Sequence, residues 1–443
     1  MSPPKQRFTV LGAGLGGALM AVYLGRAGYE VEVYERRPDA RAGKADRGRS
    51  INLAISTRGI HALRKVGLAE KVLEMAVPMR GRMIHAPDGH LGFQPYSPDG
   101  EQAINSVSRQ GLNNLLLDAA EALPNVRLHF EWRCTGVDIE TGVAKVEDSA
   151  SGAERTTPRG VLVGADGAFS AVRREMQRLD RFDYSQTFES HGYKELTMPA
   201  AAGGRHALPA NALHIWPRGG YMLIALPNAE GSFTCTLFWP LEGPSSFASV
   251  KTGDDVRRFF ETSFPDALPL LPDLAADWLA NPIGSLVTVR CRPWRHRDRV
   301  VLLGDACHAV VPFYGQGANA AFEDCVVLDQ CIRQHGTDLG RAFEEYEGLR
   351  KENVDALADL ALANFVEMRD KVASTRFHLV KRLEHSLHRA FPARFVPLYS
   401  MVTFSLTPYA EAVRRAERQW TAVRRAAGAG ALLLILLTLS LVV

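Results

Sequence analysis

Three glycines near the N-terminus have the spacing of a dinucleotide-binding turn. Gly12, Gly14 and Gly17 follow directly on a short apolar run. A pyrophosphate needs a tight turn, a backbone that it can approach closely, and the positive end of a helix dipole. Glu35, eighteen residues beyond Gly17, is placed to accept hydrogen bonds from a ribose diol. Glycine turns often serve only to reverse the chain, so the flanking elements decide between these readings.

The flanking sequence predicts a β-turn-α-β unit. Residues 8–11 form an apolar strand, a helical pattern runs from residue 15 to residue 27, and a second strand spans residues 30–34. Together with the acidic residue at the end of the second strand, this context favours a Rossmann-like domain. It does not by itself distinguish FAD from NAD(P).

The remaining elements predict an α/β chain with a second sheet. Helices are expected over residues 60–66 and 109–123, strands over 126–130, 161–163 and 300–303, and a hairpin over 135–146. Between residues 181 and 290, aromatic, β-prone runs alternate with Gly, Pro and Asn, which suggests an antiparallel sheet inserted into the first domain. Residues 317–394 are mostly helical in pattern.

Composition excludes several classes of protein. The chain has 443 residues, 46% of them apolar, and a net charge of +3 that is spread along its length, so it lacks the basic footprint of a nucleic-acid binder. Six cysteines without a CxxC pair are typical of a reducing, cytoplasmic compartment. No residue cluster has the spacing of a metal site, so no metal is expected.

The C-terminal residues differ in kind from the rest. Residues 426–443 are an uncharged, mostly apolar run about as long as the shortest membrane-spanning helices. Several arginines precede it, as the positive-inside bias expects of a tail whose catalytic body stays in the cytoplasm. We therefore expect a membrane anchor here, the alternative being a helix buried against the enzyme body.

Two later segments favour FAD. Residues 164–173 (GADGAFSAVR) resemble the "DG" motif of FAD-dependent aromatic hydroxylases, and residues 304–308 (GDACH) with 315–319 (GQGAN) resemble their second FAD motif. In that family the carboxylate matching Asp305 bonds the ribityl chain, and backbone around Ala318 and Asn319 faces the flavin. A helix start at that point presents free N–H groups to a negatively charged flavin. Ala318 departs from the methionine of the family pattern, so a smaller side chain is expected near the flavin edge.

Further segments resemble the kynurenine 3-monooxygenase family over nearly the whole chain. They are residues 47–54 (RGRSINLA), 78–85 (PMRGRMIH), 181–186 (RFDYSQ), 213–218 (LHIWPR), 322–325 (FEDC) and 395–404 (FVPLYSMVTF). The resemblance implies a Rossmann-like, p-hydroxybenzoate-hydroxylase-like FAD domain, an inserted substrate sheet and a C-terminal helical region. The expected boundaries are 1–180 and 291–370 for the FAD domain with its long helix, 181–290 plus about 78–105 for the substrate domain, 371–425 for a substrate-covering region, and 426–443 for the tail.

The resemblance also implies the site residues. Arg82 matches the arginine that grips the substrate carboxylate, a task suited to a guanidinium fork. The rest of the substrate pocket is expected from Tyr96, Asn364 and Tyr399, with Phe313 and Tyr314 walling the aromatic ring. FAD contacts are expected at Gly12, Gly14, Leu15, Gly17, Glu35, Arg36, Ala54, Arg109, Thr135, Asp166, Asp305, Gly317, Ala318 and Asn319.

The activity implied by the resemblance is hydroxylation of L-kynurenine to 3-hydroxy-L-kynurenine. FAD is bound, NADPH and O₂ are consumed, and a flavin C4a-hydroperoxide transfers the oxygen. Only one dinucleotide fingerprint is present, so NADPH is expected to bind transiently. The alternatives are another aromatic hydroxylase or a lipid reductase on the same scaffold, or a non-catalytic carrier that keeps the fold. The tail is the feature that a lipid reductase explains equally well.

Overall fold

The computed structural model describes residues 6–43, 52–97, 99–371 and 375–442. Within these ranges, the side chains of residues 370, 371, 375–378, 385 and 429–442 are not described. The strands of the described residues are β1 (Arg7–Leu11), β2 (Glu30–Tyr34), β3 (Asn52–Ile55), β4 (Val77–Met79), β5 (Gly81–His85), β6 (Leu91–Pro95), β7 (Ile104–Ser108), β8 (Val126–His129), β9 (Trp132–Asp138), β10 (Val143–Asp148), β11 (Glu154–Thr156), β12 (Val161–Gly164), β13 (Asp183–Met198), β14 (Leu213–Pro217), β15 (Met222–Pro227), β16 (Phe233–Pro240), β17 (Gly284–Arg292), β18 (Arg295–His296) and β19 (Val300–Leu302).

The helices carry most of the remaining described chain. They are α1 (Leu15–Arg26), α2 (Thr57–Lys65), α3 (Ala69–Glu74), α4 (Arg109–Glu121), α5 (Ala171–Met176), α6 (Gly253–Ser263), α7 (Leu274–Ala280), α8 (Asp305–His308), α9 (Gly317–His335), α10 (Leu339–Val366), α11 (Thr375–Ala390), α12 (Leu398–Phe404) and α13 (Tyr409–Val442). A π-helical turn, Glu367–Lys371, continues α10 directly.

A six-stranded sheet in the order β18-β19-β12-β1-β2-β8 forms the centre of the first domain. Its strands pair in parallel except β18 with β19. β1 and β12 are almost wholly buried, since strands covered on both faces are apolar along their length. Helices α1, α4 and α9 contribute to the large apolar core that covers this sheet. The sheet therefore places the glycine turn, which follows β1, at the carboxyl edge of the strands.

The second large sheet has seven strands in the order β17-β13-β16-β15-β14-β5-β6. Its pairs are antiparallel, as expected, except that β5 runs parallel to β14, with Arg82 opposite Leu213. β5 forms a hairpin with β6 but comes from a segment far upstream of β14, so no hairpin fixes its direction relative to β14. One face of the sheet packs on a core with α6 and α7, and the other packs on Phe313 and Phe365. The second face is the one that meets the first domain.

The C-terminal helices pack against α10. Residues Leu357 of α10, Met401 of α12 and Tyr409 of α13 share one buried cluster. Among the residues described, none of the helices is both long and apolar enough to cross a membrane. α13 continues to Val442, but the side chains from residue 429 onward, most of the expected anchor, lie outside those described.

Candidate functional site

The glycine turn keeps open space at the start of α1. Gly12 has φ +97° and lies so close to the next strand that an added Cβ would be 2.5 Å from the Ala165 carbonyl oxygen. A Cβ on Gly17 would be 1.9 Å from the Gly12 oxygen. Gly14, the residue that precedes α1, has nothing within 4 Å of its Cβ position. Two glycines thus allow close packing, and the third borders a space at a helix N-terminus, where an anion is stabilised.

Glu35 is buried beside this turn. Its carboxylate accepts hydrogen bonds from the Ala13 N–H at 2.9 Å and from the Arg37 N–H and Nε at 3.0 and 2.8 Å. Burial works to raise the Glu35 pKa, but the bonds and charge of Arg37 hold it below the ordinary value. Glu35 is therefore an anion fixed at the end of β2, with Arg36 exposed next to it.

Asp166 lies against the same turn. Its Oδ2 accepts from the Ala171 and Val172 N–H groups at 2.6 and 3.3 Å, whereas its buried Oδ1 has no hydrogen-bond partner. Burial raises the pKa of this carboxyl. A Cβ on Gly12 would be 2.9 Å from the Asp166 Cα, which shows how close the two segments are. A buried oxygen left without a donor is costly, and a bound group that donates a hydrogen bond would remove that cost.

The start of α9 meets β3 through one side chain. Asn319 donates to the Ala54 and Gly315 carbonyls, both at 2.9 Å, and accepts from the Ser56 and Gly59 N–H groups at 2.9 and 3.2 Å. This leaves the Asn319 side chain fully occupied within the protein. The Asn319 side chain is therefore unavailable to a ligand, and contact with the flavin through the backbone N–H groups at the start of α9 stays a prediction.

Three other expected FAD positions, Asp305, Arg109 and Thr135, are exposed. Asp305 is exposed at the first position of α8, directly after Gly304 with φ +63°. Arg109 is exposed at the start of α4, and Thr135 is exposed on β9, where Cys134 next to it interacts with Asp166. Residues 47–51 of the RGRSINLA segment lie outside the described residues. The open turn, the unpartnered Asp166 oxygen and the free N–H groups of α9 fit an FAD.

A cavity of about 780 Å³ lies between the second sheet, α10 and the C-terminal helices. Four of the expected substrate residues, Arg82, Tyr96, Asn364 and Tyr399, line it together with Tyr314. The rings of Tyr96 and Tyr399 are stacked 5.4 Å apart, and Tyr314 stacks on Tyr399 at 5.5 Å. An aromatic-walled space of this size suits a small aromatic ligand.

Arg82 is the buried cation of this cavity. It is 8% exposed, its guanidinium carbon lies 4.9 Å from the Tyr399 ring centre, and its Nε has no hydrogen-bond partner. Among the described residues, no carboxylate forms an ion pair with it. Burial works to lower the Arg82 pKa, but Tyr399, Tyr96 and Glu367 raise it above its ordinary value, so the group stays cationic. A buried arginine that forms no ion pair among the described residues is available to bind an anion.

Phe313 lies outside this cavity, unlike its neighbour Tyr314. Its ring stacks on Phe365 at 4.0 Å and packs on Phe238 at 4.8 Å in the core beneath the second sheet. Its carbonyl accepts a hydrogen bond from Asn364 Nδ2 at 2.6 Å, so Phe313 acts on the cavity through its backbone.

Sequence reasoning missed several charged residues of the cavity wall. Glu367 stands in the π-helical turn after α10, three residues beyond Asn364, where π-helical turns often mark functional sites. Lys381 and Glu384 pair at 3.0 Å on α11, and Arg424 comes from α13. The three-residue spacing of Asn364 and Glu367 was the only local signal for any of them.

A family model and several curated proteins match this sequence. A family model described as an FAD binding domain matches residues 7–359. A curated kynurenine 3-monooxygenase of Myxococcus xanthus is 53% identical over 405 residues, covering 91% of this chain and 87% of its own length. That of Salinispora tropica is 49% identical over 439 residues, with 99% and 96% covered, and that of Dictyostelium discoideum is 45% identical over 416 residues, with 91% and 89% covered.

Solved structures share the fold at lower identity. The tetrameric form of 2-methyl-3-hydroxypyridine-5-carboxylic acid oxygenase has a TM-score of 0.69 and 20% identity, covering 84% of this chain and 95% of its own. The pqsL protein of Pseudomonas aeruginosa, a probable FAD-dependent monooxygenase, has a TM-score of 0.65 and 22% identity, with 85% and 100% covered. At such identities the likeness establishes the fold alone.

Proposed function

The chain belongs to the kynurenine 3-monooxygenase family of FAD-dependent monooxygenases, and from this premise we propose that it hydroxylates L-kynurenine at C3 with NADPH and O₂. The observation that carries the proposal is Arg82, a buried cation without an ion-pair partner among the described residues, in a cavity walled by tyrosines. An α-amino acid with an aromatic ring supplies both the missing carboxylate and a ring for those walls.

Each substrate-binding residue has a role in this proposal. Arg82 binds the carboxylate, and the stacked rings of Tyr96 and Tyr399 hold its guanidinium in place from one side. Asn364 is itself held by the Phe313 carbonyl, which fixes the end of α10 against the cavity. Tyr314 packs along the substrate ring. These contacts restrict the orientation of the ring and exclude water from it.

FAD, when bound and reduced by NADPH, supplies the oxygen-transfer chemistry, so that one O₂ oxygen enters the ring and the other leaves as water. The turn at Gly14 and the carboxylate of Glu35 would hold its pyrophosphate and ribose ends, with Leu15 and Gly17 in the same turn. The backbone N–H groups of residues 317–319 would face the flavin, because the first N–H groups of a helix lack helical partners and the Asn319 side chain is already occupied by protein groups. Asp305 is exposed at a helix start and would accept from the ribityl hydroxyls.

The proposal is tested by incubating the purified yellow protein with L-kynurenine, NADPH and air. We expect NADPH oxidation to rise when L-kynurenine is added, and mass spectrometry to identify 3-hydroxykynurenine. Hydrogen peroxide as the only product, or a different hydroxylated position, would refute the substrate. A protein that retains no flavin under any condition would favour the non-catalytic carrier instead.

We also propose that residues 426–443 attach a cytoplasmic catalytic body to a membrane. The support is the apolar sequence of this run and the arginines before it, Arg414, Arg415, Arg418, Arg424 and Arg425. Truncation after Arg425 should move the protein from the membrane fraction to the supernatant without loss of turnover. Full-length protein that stays in the supernatant without detergent would rule the anchor out.

A further inference from the structure

A buried cation joins the FAD domain to the helices that cover the substrate cavity. Arg58, in the first turn of α2, is 1% exposed. Its Nε donates to the Val402 carbonyl at 3.4 Å, its Nη2 donates to the Thr407 carbonyl, and its guanidinium carbon lies 4.0 Å above the Tyr409 ring. Val402 is in the last turn of α12, where carbonyl groups lack helical partners and a cation is stabilising.

Arg58 belongs to a chain of buried charges. Glu323 of α9 accepts from Arg58 Nη1 and from Arg350 Nη1, both at 2.5 Å, and Arg350 Nε donates to Asp324 at 2.7 Å. The other oxygen of Asp324 accepts from the Gly304 N–H at 3.1 Å. This series of charged side chains thus connects the end of α12 with Gly304, the residue that precedes Asp305.

A second contact reaches residues 315–319, the other segment expected to hold FAD. The Tyr409 hydroxyl donates to Gln316 Oε1 at 3.2 Å, and Gln316 is the residue directly before α9. The start of α13 therefore contacts the segment before α9 directly, whereas the end of α12 is linked to Gly304 only through Arg58 and the charged side chains beyond it. Replacement of buried ion pairs by apolar residues is often neutral or stabilising, so stability alone does not explain this network.

We propose that Arg58 is a positioning residue that fixes α12 and the first part of α13 against the FAD domain. These residues, 398–424, are called the α12–α13 segment below. Tyr399 lies three residues before Val402 on α12, so the position of α12 sets the distance between Tyr399 and Arg82. Val413, Ala416 and Trp420 of α13 line the same cavity. Loss of Arg58 releases the α12–α13 segment and weakens substrate binding, although Arg58 itself does not line the cavity.

The test uses the full-length, FAD-loaded protein with Arg58→Lys and Arg58→Met. Arg333→Met is the matched control, because it removes an ion pair of 2.8 Å from the exposed side of α9. We expect Arg58→Met to raise the KM for L-kynurenine about 10- to 100-fold with kcat changed by less than about 3-fold. Arg58→Lys keeps the charge but not the forked contact, so its KM should rise less. Hydrogen exchange should increase over residues 398–424 and stay unchanged over α1.

Two results would overturn the proposal. One is a KM and an exchange pattern in both Arg58 variants that match those of Arg333→Met. The other is loss of FAD with faster exchange over α1 in Arg58→Lys, which would mean that Arg58 only maintains the scaffold. The kinetic readout rests on the proposed function, but the exchange readout needs no kynurenine. A wild-type protein that makes no 3-hydroxykynurenine would therefore refute the substrate and leave the role of Arg58 to be decided by exchange.

Discussion

Replacing Arg82 with methionine tests the substrate site most directly. Methionine keeps much of the side-chain volume but removes the cation from a position that is 8% exposed. A substrate carboxylate would then be buried without its partner, which costs about 2–4 kcal/mol and raises KM about 30- to 1000-fold, at 1.4 kcal/mol for each factor of ten. Because Arg82 lines the substrate cavity and not the glycine turn, FAD should remain bound.

The assay measures L-kynurenine-dependent NADPH oxidation together with the flavin absorbance per chain. Arg82→Lys is the matched control, since it keeps the charge and loses the planar fork, and we expect its KM to lie between those of Arg82→Met and the wild type. A KM for Arg82→Met within about 3-fold of wild type would refute the carboxylate role, because about 0.7 kcal/mol is too little for a buried charge pair. Loss of flavin from Arg82→Met would refute the separation of the two sites.

Three further predictions concern the cofactor turn, the core and pH. Gly14→Ala should fold with an unchanged Tm but bind little FAD, because its Cβ enters only the open space. Gly17→Ala is the control and should lower Tm, since its Cβ clashes with the Gly12 carbonyl. Full flavin content in Gly14→Ala would contradict the prediction. Asn319→Ala should lower the free energy of unfolding, measured in urea, by about 2–4 kcal/mol, because four backbone groups lose their hydrogen-bond partner. A change below about 1 kcal/mol would contradict this prediction. Burial lowers the pKa of His214 to about 4, below its unfolded value of about 6.5. Between these two pH values the unfolded state binds more protons than the folded state. The contribution of His214 to stability is therefore fully present above pH 6.5 and is lost as pH falls towards 4. Urea unfolding should therefore show about 2 kcal/mol less stability at pH 5 than at pH 7, and His214→Gln should flatten that slope.

Local sequence was sufficient for the elements around the glycine turn. The strand expected over residues 30–34 is β2 without change, and the helix expected from residue 109 is α4 with its first residue correctly placed. These elements carry their signals in adjacent residues: buried apolar runs, glycines that border a helix, and a serine before α4 that accepts from the Gly111 N–H. The aromatic, β-prone runs between residues 181 and 290 also indicated a second sheet, but not that β5 joins it in parallel.

The cavity depended on contacts that no local pattern contains. Phe313 and Tyr314 are adjacent in sequence, yet Tyr314 lines the cavity and Phe313 packs on Phe365 behind it. Glu367 reaches the cavity because α10 ends there in a π-helical turn. Side-chain direction in such a turn follows from the packing around it, which sequence periodicity does not encode.

The sequence by itself indicated FAD, through the resemblance of residues 164–173, 304–308 and 315–319 to FAD-dependent hydroxylases, and it located the glycine turn after β1, because tight turns depend on local backbone geometry. Only the tertiary structure decided that Arg82 forms no ion pair among the described residues, that the Asn319 side chain is occupied by protein groups, and that Arg58 contacts Val402 and Thr407. Pairing between charges depends on three-dimensional distance, and residues more than 250 positions apart, such as Arg58 and Glu323, are brought together only by the completed fold.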